Sequence, residues 1–175
     1  MIIKKNKSLL KLNSFRIDVC AKEYVEITNE SELLELYGKH RKKKILFIGG
    51  GSNILFTKNF NGLVVHLNIK GKNYKKINDE YVMVSASSGE NWNDLVNWCV
   101  NSGFGGVENL SLIPGNVGGA PVQNIGAYGR ELKDVLVSCK VYNWENGTFC
   151  EFQRSQCDFD YRDSIFKKNK NLLIT

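Results

Sequence analysis

Apolar positions come in short blocks separated by polar, glycine-rich or basic stretches. Val19 to Ile27 is an apolar segment of strand length. Asn29 follows as a helix cap, with Glu32 three residues on to complete a capping box. Leu33, Leu34, Leu36 and Tyr37 then supply a buried helical face, and Gly38 with the run His40-Arg41-Lys42-Lys43-Lys44 closes the helix. Lys44 to Ile48 and Leu63 to Leu67 read as two short buried strands with the glycines of 49–51 in the loop between them. Farther on, Tyr81 to Ser85 is a strand. Trp92, Leu95, Val96 and Cys99 fall on one face of a helix that Gly103 is placed to end. Val135 to Trp144 and Thr148 to Phe152 flank Glu145-Asn146-Gly147, a tight-turn signal, and predict a hairpin. The last residues, Leu172 to Thr175, read as the start of a strand that is cut short. The Lys- and Asn-rich stretch from Asn68 to Asn78 is the best internal boundary, which divides the chain into subdomains at 1–70 and 71–175.

Composition agrees with a folded chain: 42% of the 175 residues are hydrophobic and 24% charged, enough for a real core. No apolar run approaches the roughly 18 residues of a membrane span. The basic start is followed by no apolar stretch of signal-peptide length, so the expected location is cytoplasmic and no membrane partner is expected. The net charge of +6 comes in basic runs without any accompanying nucleic-acid motif, which favours a solvated face over DNA or RNA binding. A positive field could also help draw in an anionic substrate. Five cysteines with no Cys-x-x-Cys spacing indicate neither a disulfide framework nor a zinc site; they are expected to be reduced packing residues. His40 and His66 lie near no ligand cluster, so no metal is expected.

Two segments carry candidate chemistry. Gly49-Gly50-Gly51-Ser52-Asn53 directly follows a buried strand, where glycines permit positive φ angles and close backbone approach. Successive N–H groups in such a turn form a concave anion site suited to a pyrophosphate. The segment fits neither a Rossmann fingerprint nor a P-loop, and a plain glycine turn would account for it alone. The second segment, Ile113 to Gly129, is long, uncharged and glycine-dense, with Gln123 and Asn124 among small residues. That composition suits a wall lying flat against a planar ligand while offering amide hydrogen bonds, and a flavin is such a ligand.

These segments, with Gly106-Val107-Glu108-Asn109-Leu110 and Tyr161-Arg162-Asp163-Ser164-Ile165-Phe166-Lys167, resemble the UDP-N-acetylenolpyruvoylglucosamine reductase family in order and spacing; Asn13-Ser14-Phe15 looks like that family's opening motif. The resemblance covers nearly the whole chain and implies an α+β FAD-binding fold of the vanillyl-alcohol-oxidase (PCMH) type, two small α/β subdomains with FAD between them. It implies an oxidoreductase of peptidoglycan precursor synthesis in which NADPH reduces a noncovalent FAD, and the flavin then reduces the enolpyruvyl ether of a UDP-sugar to UDP-N-acetylmuramate. On this basis the FAD-binding residues would be Gly49, Gly50, Gly51, Ser52, Asn53, Ile113, Pro114, Gly115, Gly118, Gly119, Gln123, Asn124, Gly126, Ala127 and Tyr128.

Hydride addition beside a carboxylate builds negative charge there, so a fixed cation is required. Arg162 matches the family's motif arginine and is the candidate catalytic residue, with Tyr161 lining the substrate pocket. Asp160 stands where the family shows a small residue and is placed to compete for Arg162. A surface ion pair of Arg162 with Asp160 or Asp163 is the alternative. The resemblance implies that the family's proton-donating serine and its glutamate lie beyond the matched region, in a later substrate-binding domain and the C-terminal segment, with no counterpart among these residues. The expectation is that the chain alone does not complete the reaction and binds FAD weakly, with no obligate protein partner. A degenerate flavin- or nucleotide-binding module without catalysis is the alternative function.

Overall fold

The computed structural model describes all 175 residues, which fall into two compact units, Met1–Ile69 and Lys70–Thr175. No helix is long and apolar enough to cross a membrane.

The first unit is built on a four-stranded sheet. Its strands are β1 (Lys4–Ser8), β2 (Cys20–Ile27), β3 (Ile45–Ile48) and β4 (Phe60–Leu67), in the order β1-β2-β4-β3. β2 and β3 both run parallel to β4, while β1 is antiparallel to β2. Parallel neighbours need a crossover, and helix α1 (Glu30–His40) lies on the connection from β2 to β3. The core follows from the apolar runs: Val25, Ile27, Leu63, Val64 and Val65 are fully buried, with Leu33 and Leu36 of α1.

α1 departs from the sequence reading in three places. Leu34 is 49% exposed, because only positions 33 and 36 fall on the inward stripe. The helix continues through Gly38 to His40, since one glycine costs a helix only about 1 kcal/mol. The Asn29 side chain accepts from Glu32 N–H as expected, but the Glu32 carboxylate reaches Thr28 N–H at 2.7 Å, one residue before the cap. β1 was not visible as a strand because all five of its residues are exposed and three are lysines.

The second unit contains two hairpins, a three-stranded sheet and two helices. β5 (Lys72–Lys76) pairs antiparallel with β6 (Val82–Ala86), so a strand occupies the basic stretch that composition marked as a boundary. Helix α2 (Trp92–Asn101) buries Trp92, Leu95, Val96 and Cys99, the face its spacing predicts. Burying such side chains contributes roughly 1.5–3 kcal/mol each. The Asn91 side chain caps its start, and Gly103, at φ +75°, lies just past its end. β7 (Gly126–Ala127) and β8 (Arg130–Glu131) form a short hairpin. β9 (Ser138–Asn143) is the centre of a sheet with β10 (Thr148–Gln153) on one side and β11 (Leu172–Ile174) on the other, both antiparallel. The hairpin is shorter at its start than predicted: Leu136 packs inward before β9 begins, and Val135 closes the 3₁₀ turn Leu132–Asp134. Short helix α3 (Ile165–Lys168), capped by Ser164, buries Phe166 beneath this sheet with Cys139, Val141, Cys157 and Leu172. The terminal strand is fully paired with β9, and Ser88 N–H donates to the Thr175 carbonyl at 2.7 Å.

Cys99, Cys139 and Cys157 are buried free thiols. Burial, reinforced by the neighbouring Cys157, pushes the Cys139 thiol from 9.0 up to about 12. A raised folded-state pKa contributes stability that is complete below the unfolded value and lost as pH rises through the folded one. Unfolding free energy should therefore fall between about pH 9 and pH 12, and Cys139→Ala should flatten that slope in denaturant titrations whatever its effect at neutral pH. An unchanged slope would refute it.

In the first unit, Gly51 has φ +71°, and a Cβ there would sit 1.9 Å from the Leu12 carbonyl oxygen. Gly51→Ala combines a left-handed backbone penalty with overpacking and should destabilise the chain by about 3 kcal/mol. Gly38→Ala, in open space on α1, should instead stabilise it by about 0.5–1 kcal/mol. Thermal and denaturant melts check the contrast in sign.

Candidate functional site

The first glycine segment leaves the end of β3 and turns over a loop formed by residues 9–17. That loop is held by one buried side chain. Asn13 Nδ2 donates to the carbonyls of Leu9 (2.8 Å) and Ile17 (3.0 Å), and its Oδ1 accepts from Ile17 N–H (3.0 Å). With the loop fixed, the Leu12 carbonyl presses against Gly51, and Ser14 N–H reaches the Gly51 carbonyl. The N–H groups of residues 49–53 find no acceptor within the chain. Gly50 and Asn53 are exposed, Gly49 and Ser52 half-buried. Gly51 is buried against Leu12, and the unpartnered amides on either side of it are what an anionic or hydrogen-bonding ligand requires.

In the second unit, Ile113 to Gly129 is tied down at intervals. Trp92 N–H donates to the Gly115 carbonyl and Val117 N–H to the Glu90 carbonyl, pinning the segment beside the start of α2. At and just before these points the N–H groups of Ile113, Gly115 and Asn116 have no acceptor in the chain. Gly118 N–H bonds the Ser88 carbonyl at 2.9 Å, and a Cβ on Gly118 would lie 2.6 Å from the Ser88 Cβ. Gly118 is therefore glycine because the chain packs against itself. Gly126 is similar, hemmed in by the Arg130 carbonyl at 3.0 Å. Gly119 differs, with nothing within 4 Å of its Cβ position and an exposed surface.

Three further side chains of this segment behave differently from one another. Gln123 is half-buried. Tyr128 sits at the tip of the β7–β8 hairpin, 88% exposed at φ +51°, followed by Gly129 at +74°. Two successive positive φ values are the mark of a type I′ turn, in which a tyrosine is strained. Asn124 is fully buried, and both ends of its amide are used within the chain, donating to the Asp160 carbonyl (3.1 Å) and accepting from Lys133 N–H (3.0 Å).

The Tyr161–Arg162 pair occupies a turn closed by Asp160 and Asp163, whose backbone groups exchange hydrogen bonds at 3.1 and 3.2 Å. Arg162 has φ +53°, and Lys167 Nζ donates to its carbonyl at 2.9 Å. Both residues are exposed, Tyr161 by 81%. Arg162 makes no ion pair. The Asp160 carboxylate accepts from Tyr161 N–H at 2.7 Å, and Asp163 pairs with Lys168 at 3.4 Å. Neither neighbouring acid occupies the guanidinium, so Asp160 does not compete for it here. Ser164 is wholly buried and donates to the Val122 carbonyl at 2.7 Å, which gives it a structural task.

Ser88 was missed by sequence reasoning. It is 97% buried by its 3% exposure, and its hydroxyl has no partner. A serine in the run Ser87-Ser88-Gly89 carries no signal in sequence; only the close approach of Gly118 singles it out.

Residues 21–153 match the model of the FAD-binding domain family. The chain belongs to that family. It is 46% identical over 167 residues to a UDP-N-acetylenolpyruvoylglucosamine reductase of Flavobacterium johnsoniae, covering 95% of this chain and 50% of the relative. The reductase structure from Thermus caldophilus superimposes with a TM-score of 0.79 at 22% identity over all of this chain and 60% of that one. A solvent-stable cholesterol oxidase matches with a TM-score of 0.63 at 14% identity, over 90% of this chain and 34% of that one. The chain spans about half the length of the curated relatives it matches. The α+β FAD-binding fold implied by the sequence motifs is the fold observed.

Both glycine segments fit such a cofactor: each offers unpartnered N–H groups on an uncharged, small-residue surface, and Gly119 opens onto free space. Because Gly118 and Gly119 have different reasons for being glycine, Gly118→Ala should destabilise the chain by about 1–3 kcal/mol while Gly119→Ala leaves stability within about 0.5 kcal/mol. Urea titration of the two variants without ligand checks this.

Proposed function

We propose that this chain is the FAD-binding half of a UDP-N-acetylenolpyruvoylglucosamine reductase, with NADPH as reductant and the enolpyruvyl ether of a UDP-sugar as substrate. The observation that carries the reading is Arg162, an exposed guanidinium on a closed turn with no carboxylate partner, within a motif shared with these reductases.

The N–H groups of residues 49–53 would hold the anionic part of FAD, and those of Ile113, Gly115 and Asn116, with Gly119 and Gln123, the flavin or ribityl part. Pro114, Gly118, Gly126 and Ala127 shape that second surface. Bound FAD supplies the hydride chemistry. The work left to the chain is binding, orientation and charge stabilisation. Arg162 offers a planar fork to the substrate carboxylate, where negative charge builds as the double bond is reduced. Its fixed turn keeps reorganisation small. Tyr161 and Tyr128, both exposed, provide aromatic surface beside bound ligand. Proton donation to the neighbouring carbon requires a group that these residues do not supply.

Two measurements test this reading. The purified chain titrated with FAD should quench flavin fluorescence with weak, saturable affinity, and Gly119→Val should weaken that affinity by about tenfold or more through direct obstruction. A wild-type chain that leaves the fluorescence unchanged at high concentration would sink the cofactor assignment. In a reductase carrying this sequence as its first half, Arg162→Ala should lower kcat by about 10²–10³-fold with FAD affinity unchanged. A loss of less than threefold would remove Arg162 from the mechanism.

A further inference from the structure

Asn124 lies inside the glycine-rich segment, yet its side chain makes no outward contact. Its amide is fully buried and bridges two parts of the second unit. Nδ2 donates to the Asp160 carbonyl, the first residue of the turn bearing Arg162, and Oδ1 accepts from Lys133 N–H just after the β7–β8 hairpin. Its own backbone is left-handed, at φ +41°, ending the 3₁₀ turn Pro121–Gln123. Ser164, on the far side of the Arg162 turn, ties back to the same 3₁₀ turn through the Val122 carbonyl. The Arg162 turn is thus attached at both ends to one three-residue piece of the glycine segment.

We propose that Asn124 is a positioning residue whose side chain locks the turn carrying Arg162 to the glycine-rich segment, rather than a ligand of the cofactor. The assignment rests on the reading of Arg162 as a carboxylate-binding residue only for its consequence; the tie itself is a property of the fold. An asparagine is needed because the position must donate on one side and accept on the other, and a short amide does both while tolerating the left-handed backbone. The turn contains a strained residue, Arg162 at φ +53°, which persists only where its surroundings hold it.

Asn124→Asp supplies a test that a general packing defect would not mimic. A protonated aspartic acid can donate to the Asp160 carbonyl and accept from Lys133 N–H as asparagine does. An ionised one places two acceptors face to face. The titratable and charged groups around it are Asp160 and Asp163 on the turn, Lys133 beneath it, Glu131 paired to Lys133, and Lys168 paired to Asp163. The wild-type chain carries all of these, so its own pH response is the baseline.

Amide exchange at Asp160 and Asp163, whose N–H groups close the turn, is followed by NMR in the full chain. Pyruvate serves as a carboxylate probe, read on the Arg162 Nε–H resonance. At about pH 8, Asn124→Asp should raise exchange at both amides, relative to wild type, by about tenfold and weaken pyruvate binding similarly, while β9–β10 amides keep their protection. As pH falls and the buried aspartic acid regains its proton, both should return toward wild type. Asn124→Ala should show the loss without the recovery; should it fail to fold, the Asn124→Asp titration in one sample carries the test. Turn exchange in Asn124→Asp that stays at the wild-type value up to the highest pH at which the chain remains folded, or a loss that does not recover as pH falls, overturns the proposal. If the turn responds as expected but Arg162→Ala binds pyruvate as wild type does, the carboxylate role of Arg162 fails while the tie stands.

Discussion

A buried side-chain amide holds an irregular loop in each unit. Loops cannot satisfy their own backbone groups by periodic hydrogen bonding, and an unpaired buried N–H or carbonyl costs about as much as a lost hydrogen bond. Asn13 answers this in the first unit by closing the loop from Leu9 to Ile17, and Asn124 in the second by joining Asp160 to Lys133. Each is almost inaccessible to solvent. Asparagine suits the task because one short side chain carries both a donor and an acceptor. Once these loops are fixed, their neighbours' positions follow: Gly51 against Leu12 in one unit, the Arg162 turn in the other.

The glycines then separate by cause. Gly51, Gly118 and Gly126 are small because another stretch of the same chain occupies the space a side chain would need. Gly119 is small with nothing beside it. Open space alone is not diagnostic, since Gly38 on α1 has it too; Gly119 differs in lying in the same segment as the unused donors of Ile113, Gly115 and Asn116. The unpartnered amides of residues 49–53 and of Ile113, Gly115 and Asn116 make the same distinction for hydrogen bonding. In each unit, taken by itself, a rigid backing that the chain forces on itself carries a stretch of unused donors.

How much of this was legible in sequence depended on whether burial left a periodic trace. β2, β4 and α2 were readable because their inward positions are apolar at the right spacing, and the Glu145–Gly147 turn announced its hairpin. β1 and β5 left no such trace: every residue in them is exposed, and lysine-rich strands look like linkers. Leu34 misled for the opposite reason, being apolar yet outward. Within the candidate site, the glycine density and the Tyr161–Arg162 motif could be read directly. The reasons for Gly51 and Gly118, the orphan hydroxyl of Ser88 and the inward amide of Asn124 could not, because each depends on a residue 30 or more positions away.

The position of Arg162 shows why such distant ties matter for chemistry. A guanidinium with two aspartates as sequence neighbours would ordinarily be neutralised by one of them. Here each acid has another partner: Asp160 turns to the Tyr161 N–H, and Asp163 to Lys168. Those contacts are local, but their geometry is set by the turn, and the turn is anchored through Asn124 and Ser164. Keeping a charge unpaired and exposed costs little, since water solvates it. What the fold contributes is direction: the backbone beneath the cation is fixed, so less freedom would be lost if an anion bound there. A looser turn would leave Arg162 free to find Asp160 or Asp163, and the same residue would then be an ordinary surface ion pair.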